Sequence, residues 1–141
     1  MHNTLVIIKP DAFSKGKVGQ ILSVYEQEGF RIVAARVAEG EGSTLRAHYA
    51  EHRGKPFYAS LLEFMGSGPM LVLILRGLDG IERVRQLNGD TDPLKAAKGT
   101  IRRIYGQDIQ KNAVHGSATP ADALREIEIW FPHRKKEENS Q

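Results

Sequence analysis

Not one of the 141 residues is cysteine. That excludes disulfides, thiolate zinc sites and cysteine nucleophiles, and leaves the compartment open. Long apolar runs are also missing: no stretch approaches the roughly 20 apolar residues of a membrane span. The N-terminus, MHNTLVIIKP, lacks the charged and long apolar regions of a secretory signal, so a cytoplasmic chain with no membrane contact is the expectation. The common glycine-rich phosphate loops are absent too, since neither G-x-x-x-x-G-K-[ST] nor G-x-G-x-x-G occurs. Strong charge of one sign is lacking, with a net charge of only +3. Mild basicity suits anionic ligands, including nucleotides. It is too weak, without a basic stripe carrying exposed aromatics, to expect a specific nucleic-acid partner.

What is present suits a single globular domain over residues 1–141, with a solvated, flexible tail from about residue 133. Thr4 to Ile8 is a short β-branched run that reads as a buried strand, and Pro10 forces the chain out of the sheet. Val18 to Glu28 has helical apolar spacing with Gly29 as its C-cap, and Phe30 to Ala38 reads as a strand. Ser43 is placed to cap a helix through His52, and Pro56 to Phe64 reads as a second short helix. Met70 to Leu75 is the most apolar run and is predicted to be a central strand, followed by a helix from Asp79 or Gly80 to about Leu87. Pro120 opens a last helix that is predicted to turn into an extended IEIWF. This order fits an α+β sandwich of the ferredoxin-like kind, with a four-stranded, mostly antiparallel sheet covered by helices.

Phosphate chemistry needs fixed positive charge. Lys9 closes the first strand, Arg85 lies on the helix after the central strand, and Arg102 stands in GTIR. Thr91 in GDTDP adds a hydroxyl. Singly, each is an ordinary surface residue, and spacing alone does not show that they converge. Phe57 beside Pro56 is either a core or staple residue or a ring at a cleft mouth. Tyr49, at helical spacing from Arg46 and Arg53, reads as half-buried with a wet hydroxyl. His48 and His52 have the i, i+4 spacing of two zinc ligands, but HYAEH does not complete H-E-x-x-H and no third ligand is in view.

His115, in NAVHGSATP, is open to three readings: an idle loop histidine, a metal ligand, or a reactive group. Gly116 permits close backbone approach. Ser117 and Asn112 can orient a neutral ring, and Glu126 on the following helix is the kind of partner that fixes a tautomer. A neutral imidazole is a competent nucleophile toward phosphorus.

Together these residues resemble the nucleoside diphosphate kinases from Thr4 to Phe131. The signature N-x-x-H-G-S-D stands here as NAVHGSA. Supporting motifs are VIIKPD (6–11), HYAEHRGKPF (48–57), SGP (67–69), GDTDP (89–93) and GTIR (99–102), in the family's order. The resemblance implies transfer of the terminal phosphate of ATP, or another nucleoside triphosphate, to a nucleoside diphosphate. It implies a ping-pong route through a phosphohistidine on Nδ1 of His115, with Glu126 and Ser117 disposing the ring. Lys9, Tyr49, Arg85, Thr91, Arg102 and Asn112 would hold phosphates and sugar hydroxyls, and Phe57 would stack on the base. Mg²⁺ would be bound mainly through the nucleotide phosphates, without a dedicated protein site. A homo-oligomer, tetramer or hexamer built from dimers, is implied as well. Two positions depart from the pattern. Lys98 stands where many relatives have proline, and Ala118 stands where the family usually has aspartate.

Overall fold

The run LVII lacks the polar alternation of a half-exposed strand. The computed structural model, which describes residues 1–134, gives the reason. β1 (His2–Ile8) lies inside a sheet covered on both faces. Leu5 and Ile7 enter one core with Val72, Ile74, Met65 and Trp130. Val6 and Ile8 enter the other with Ile21, Leu73, Leu75 and Val84. A strand buried on both faces needs apolar residues at successive positions.

The remaining elements are α1 (Pro10–Ser14), α2 (Val18–Gln27), β2 (Arg31–Glu39), α3 (Gly42–His48), α4 (Tyr58–Met65), β3 (Pro69–Gly77), α5 (Gly80–Asn88), α6 (Ile101–Tyr105), β4 (Val114–Gly116) and α7 (Pro120–Trp130). The sheet order is β2-β3-β1-β4, and every neighbouring pair is antiparallel. This is the ferredoxin-like α+β sandwich expected from the order of elements. β3 is interior, as its apolar run predicts. Gly29, with φ +89°, ends α2 in the left-handed conformation that suits glycine. Among the described residues no helix is long and apolar enough to cross a membrane. Most of the expected tail, residues 135–141, lies outside the described residues.

Four local expectations are corrected. Ser43 sits inside the first turn of α3, whose N-cap is Glu41, so it is not the cap. That helix stops at His48, and a separate 3-10 turn covers Ala50–His52. IEIWF is not extended: α7 runs on through Trp130, because Ile127 and Trp130, one helical turn apart, both pack into the Leu5–Ile7 core. Finally, His115 lies on a strand. β4 is only three residues long, with Ile7 facing His115 across the β1 pairing.

The start of α7 is well determined. The Thr119 hydroxyl accepts a hydrogen bond from Asp122 N at 3.0 Å, and Pro120 occupies the first turn. Removing that cap in Thr119→Ala is expected to lower stability to urea by about 1 kcal/mol, whereas Thr119→Ser retains it.

Candidate active site

His115 is presented by the edge strand β4 toward α7. Its Nε2 lies 2.9 Å from Glu126 Oε1. Ser117 Oγ donates to the same oxygen at 2.7 Å and accepts from Leu5 N at 3.1 Å. Ser117 thus aligns the carboxylate, which in turn aligns the ring. Burial pushes the Glu126 carboxyl up, but hydrogen bonds from His115 and Ser117, with the charge of Arg125, hold it below the usual carboxylate range. An ionised Glu126 accepts the proton of Nε2–H, which leaves the imidazole lone pair on Nδ1.

The ring is braced from its other side by His48, whose plane meets it edge-on at 4.7 Å between centroids. Burial, then the neighbouring His115, drives His48 well below the ordinary histidine range, so it is neutral at pH 7. The ligand atoms of His48, His115 and Glu126 lie within 4.8 Å of one another, and His52 is not in the group. A neutral imidazole has one lone pair, and the Trp130 indole N–H occupies that of His48, at Nδ1 and 3.0 Å. His48 therefore has no lone pair to give a metal, which removes the physical basis of the zinc alternative.

Ala113, just before β4, adopts φ +74°, uncommon for a residue with a Cβ. Both of its backbone groups are held: N–H donates to Asp11 Oδ2 at 3.1 Å, and the carbonyl accepts from Lys9 N at 2.9 Å. This turn separates Asn112 from His115. Asn112 makes no hydrogen bond to the ring among the described residues, contrary to the expectation that it orients it. Its Oδ1 accepts from Lys9 Nζ at 2.8 Å, and its Nδ2 donates to the carbonyls of Thr91 and Ile109. Burial first, and the Arg102 charge second, pull the Lys9 ammonium down to about 8.

A cleft of about 870 Å³ gathers Lys9, Tyr49, Phe57, Arg85, Thr91, Arg102, Asn112 and His115 along its wall. That volume is in the range of small-molecule sites. Arg102 is anchored through Nη1 to the Gly89 carbonyl and through Nη2 to the Val114 carbonyl, each at 2.8 Å. Arg85 is exposed on the wall. Phe57 is 44% exposed, which decides between its two readings in favour of a ring at the cleft mouth. Tyr49 is only 8% exposed, not half-buried as expected, and desolvation raises its hydroxyl far above the ordinary tyrosine range. Ser117 and Glu126 stand behind His115, off the wall. A neighbouring groove of about 760 Å³ shares Arg85, Thr91 and Ala118 with the cleft.

Sequence reasoning missed the bracing pair His48–Trp130, because HYAEH invites a metal reading and the partner is distant in the chain. It also missed Asn88, Asp108 and Ile109 on the cleft wall. No local pattern marks those three.

Comparison with known proteins accords with this geometry. Residues 2–136 match the family model described as nucleoside diphosphate kinase. A nucleoside diphosphate kinase of Mycolicibacterium vanbaalenii is 51% identical over 134 residues, covering 94% of this chain and 98% of that one. One of Rhodococcus jostii is 50% identical, covering 94% and 96%. Among solved structures, the Aquifex aeolicus nucleoside diphosphate kinase superposes with a TM-score of 0.89 at 42% identity, covering 92% of this chain and 94% of that one. A nucleoside diphosphate kinase family protein from Babesia bovis gives 0.91 at 36% identity, covering 99% and 96%. With matches of this extent in both sequence and fold, the chain belongs to the nucleoside diphosphate kinase family.

Proposed function

We propose that this nucleoside diphosphate kinase moves the terminal phosphate of ATP, or another nucleoside triphosphate, onto a nucleoside diphosphate by way of His115. The observation that carries the reading is the 2.9 Å contact between His115 Nε2 and Glu126 Oε1. In the first half-reaction the Nδ1 lone pair attacks the terminal phosphorus. The N–P bond forms as the bridging P–O bond breaks, and its electron pair leaves on the diphosphate. The proton stays on Nε2, where Glu126 offsets the positive charge of the phosphorylated ring. In the second half-reaction a terminal oxygen of the incoming diphosphate attacks phosphorus, and the N–P electron pair returns to Nδ1. One cleft serves both halves, so no second nucleotide pocket is required.

Lys9, Arg85 and Arg102 stabilise charge on the transferring group, the main demand of phosphoryl transfer. Thr91 and Tyr49 add hydroxyl contacts. Asn112 Oδ1 keeps one lone pair for a sugar hydroxyl beyond its bond to Lys9. The exposed Phe57 ring supports stacking on any base, since every base has a π-face. Mg²⁺ would enter as its nucleotide complex, beside a wall that carries Lys9, Arg85 and Arg102 together with Asp92 and Asp108, and would supply charge neutralisation to the leaving diphosphate. The chain is also proposed to form a homo-oligomer, supported by β2, a nine-residue edge strand whose outer side is unpaired among the described residues. A cytoplasmic setting goes with this reading.

Incubation with γ-labelled ATP is expected to give an acid-labile, base-stable phosphoprotein that hands its label to GDP. Absence of label, or its persistence in His115→Ala, contradicts the reading. The Lys9 proton supplies a pH test. Lys9 is charged below about 8 and neutral above it in the free enzyme, so kcat/KM is expected to fall as pH rises through about 8, and Lys9→Arg is expected to remove that limb. At the lip shared by the two cavities, Ala118→Asp is expected to raise kcat/KM for the Mg²⁺–nucleotide complex by roughly two- to fivefold, the worth of one partly exposed charge contact. An unchanged value places residue 118 outside catalysis.

A further inference from the structure

A buried imidazole that moves no proton in the transfer stands beside the reactive one. His48 ends α3 and is 2% exposed. Its ring meets that of His115 at 4.7 Å between centroids, with an interplanar angle of 74°. Trp130, buried at the end of α7, points its indole N–H at His48 Nδ1 across 3.0 Å. An indole nitrogen is a donor only, so Nδ1 must carry a lone pair and the ring proton belongs on Nε2. A second proton could enter only at Nδ1. There it would face the indole N–H, break the hydrogen bond and leave two buried donors without acceptors. The hydrogen bond thus fixes both the tautomer and the charge of His48.

The charges around the ring act in the same direction. Burial is the first cost of a charge on His48, and neighbouring basic groups add to it: His115 from β4, Arg125 from α7, Lys9 just after β1, and His52 from the turn after α3. Tyr49, the next residue, lies edge-on to His48 at 4.5 Å, and its buried hydroxyl stays protonated. The opposing charge is Glu126 on α7, whose carboxylate lies within 4.8 Å of a nitrogen of each histidine. Its Oε1 is already committed to His115 and Ser117, and Arg125 stands 3.7 Å from its Oε2. Phosphorylation at Nδ1 of His115 adds positive charge to a ring whose Nε2 proton stays in place. A like charge on the neighbouring imidazole would oppose that step.

We propose that His48 is a positioning residue of this site, locked by the Trp130 N–H as a neutral Nε2–H imidazole, so that the positive charge of the phosphorylated His115 ring develops beside an uncharged neighbour. The assignment rests on the phosphotransfer reading above. It gives the hydrogen bond a purpose beyond packing. An unlocked His48 gains a proton in acid and slows transfer there, whereas the locked ring adds no acid limb of its own.

Two measurements test it. Long-range proton–nitrogen NMR of the histidine rings in wild-type protein reads the His48 nitrogens directly. A protonated Nε2 and a bare Nδ1, unchanged from about pH 8 to about pH 5.5, are expected; a proton on Nδ1 anywhere in that range overturns the proposal. The second measurement is the pH dependence of kcat/KM. Trp130→Phe, which removes the donor and opens room for water, is expected to lower kcat/KM by roughly tenfold more at about pH 6 than at about pH 7.5, the weight of one like charge beside the reacting ring. Adding His48→Asn, whose amide oxygen stands in for Nδ1 but takes no proton, is expected to remove that extra loss in acid. A loss equal at both pH values, or one that survives His48→Asn, is what packing alone produces and overturns the proposal. Should Trp130→Phe fail to fold, the wild-type ring spectra decide. Wild-type protein that takes up no label from ATP defeats the phosphohistidine reading, whereas a titrating His48 in protein that does take up label defeats the lock alone.

Discussion

The contact between His115 Nε2 and Glu126 Oε1 sets the chemistry of one ring nitrogen by occupying the other. Much of the fold serves to hold these two atoms 2.9 Å apart. β4 carries the histidine on a three-residue edge strand, and α7 carries the glutamate, its first turn fixed by Thr119 and its last by Trp130. Ser117 ties the carboxylate to the backbone of β1. Trp130 reaches back through His48 to brace the imidazole from the opposite side. The pair sits at the rim of the core, where local dielectric is low and a carboxylate has most leverage over the charge of a neighbouring ring.

A second constraint is the crowding of cations in one cleft. Lys9 and Arg102 are wholly or partly withdrawn from water, and burial lowers both, reinforced by the charge of Arg102 at Lys9 and of Arg85 at Arg102. Asp11 and Asp108 favour the charged form of Lys9, and Asp90 that of Arg102, while the hydrogen bonds go to neutral acceptors: the Asn112 side chain for Lys9, and two carbonyls for Arg102. Such partners orient a cation without neutralising it. The site therefore keeps its positive charge available for an anionic ligand.

The architecture was legible where burial leaves a simple pattern. LVII and MLVLIL announce strands covered on both faces, and Gly29 marks the end of a helix. Short elements were not legible. VHG is too brief for a period, and IEIW alternates like a strand although its apolar residues also satisfy one helical turn. In the site, motif order pointed to the residues that line the cleft. The supporting contacts were hidden because they join distant parts of the chain: His48 with Trp130, and Asn112 with Lys9. Ala118 departs from the family pattern, yet the cap of α7 survives without a carboxylate there, because Thr119 supplies it.

The central claim is that Glu126 holds the Nε2 proton and leaves Nδ1 to attack. Phosphorus NMR of the protein phosphorylated by ATP, with the His115 ring isotopically labelled, reads that choice directly. A phosphorus–nitrogen coupling to Nδ1 of His115 is the predicted result. Coupling to Nε2, or phosphate on another residue, would contradict the account.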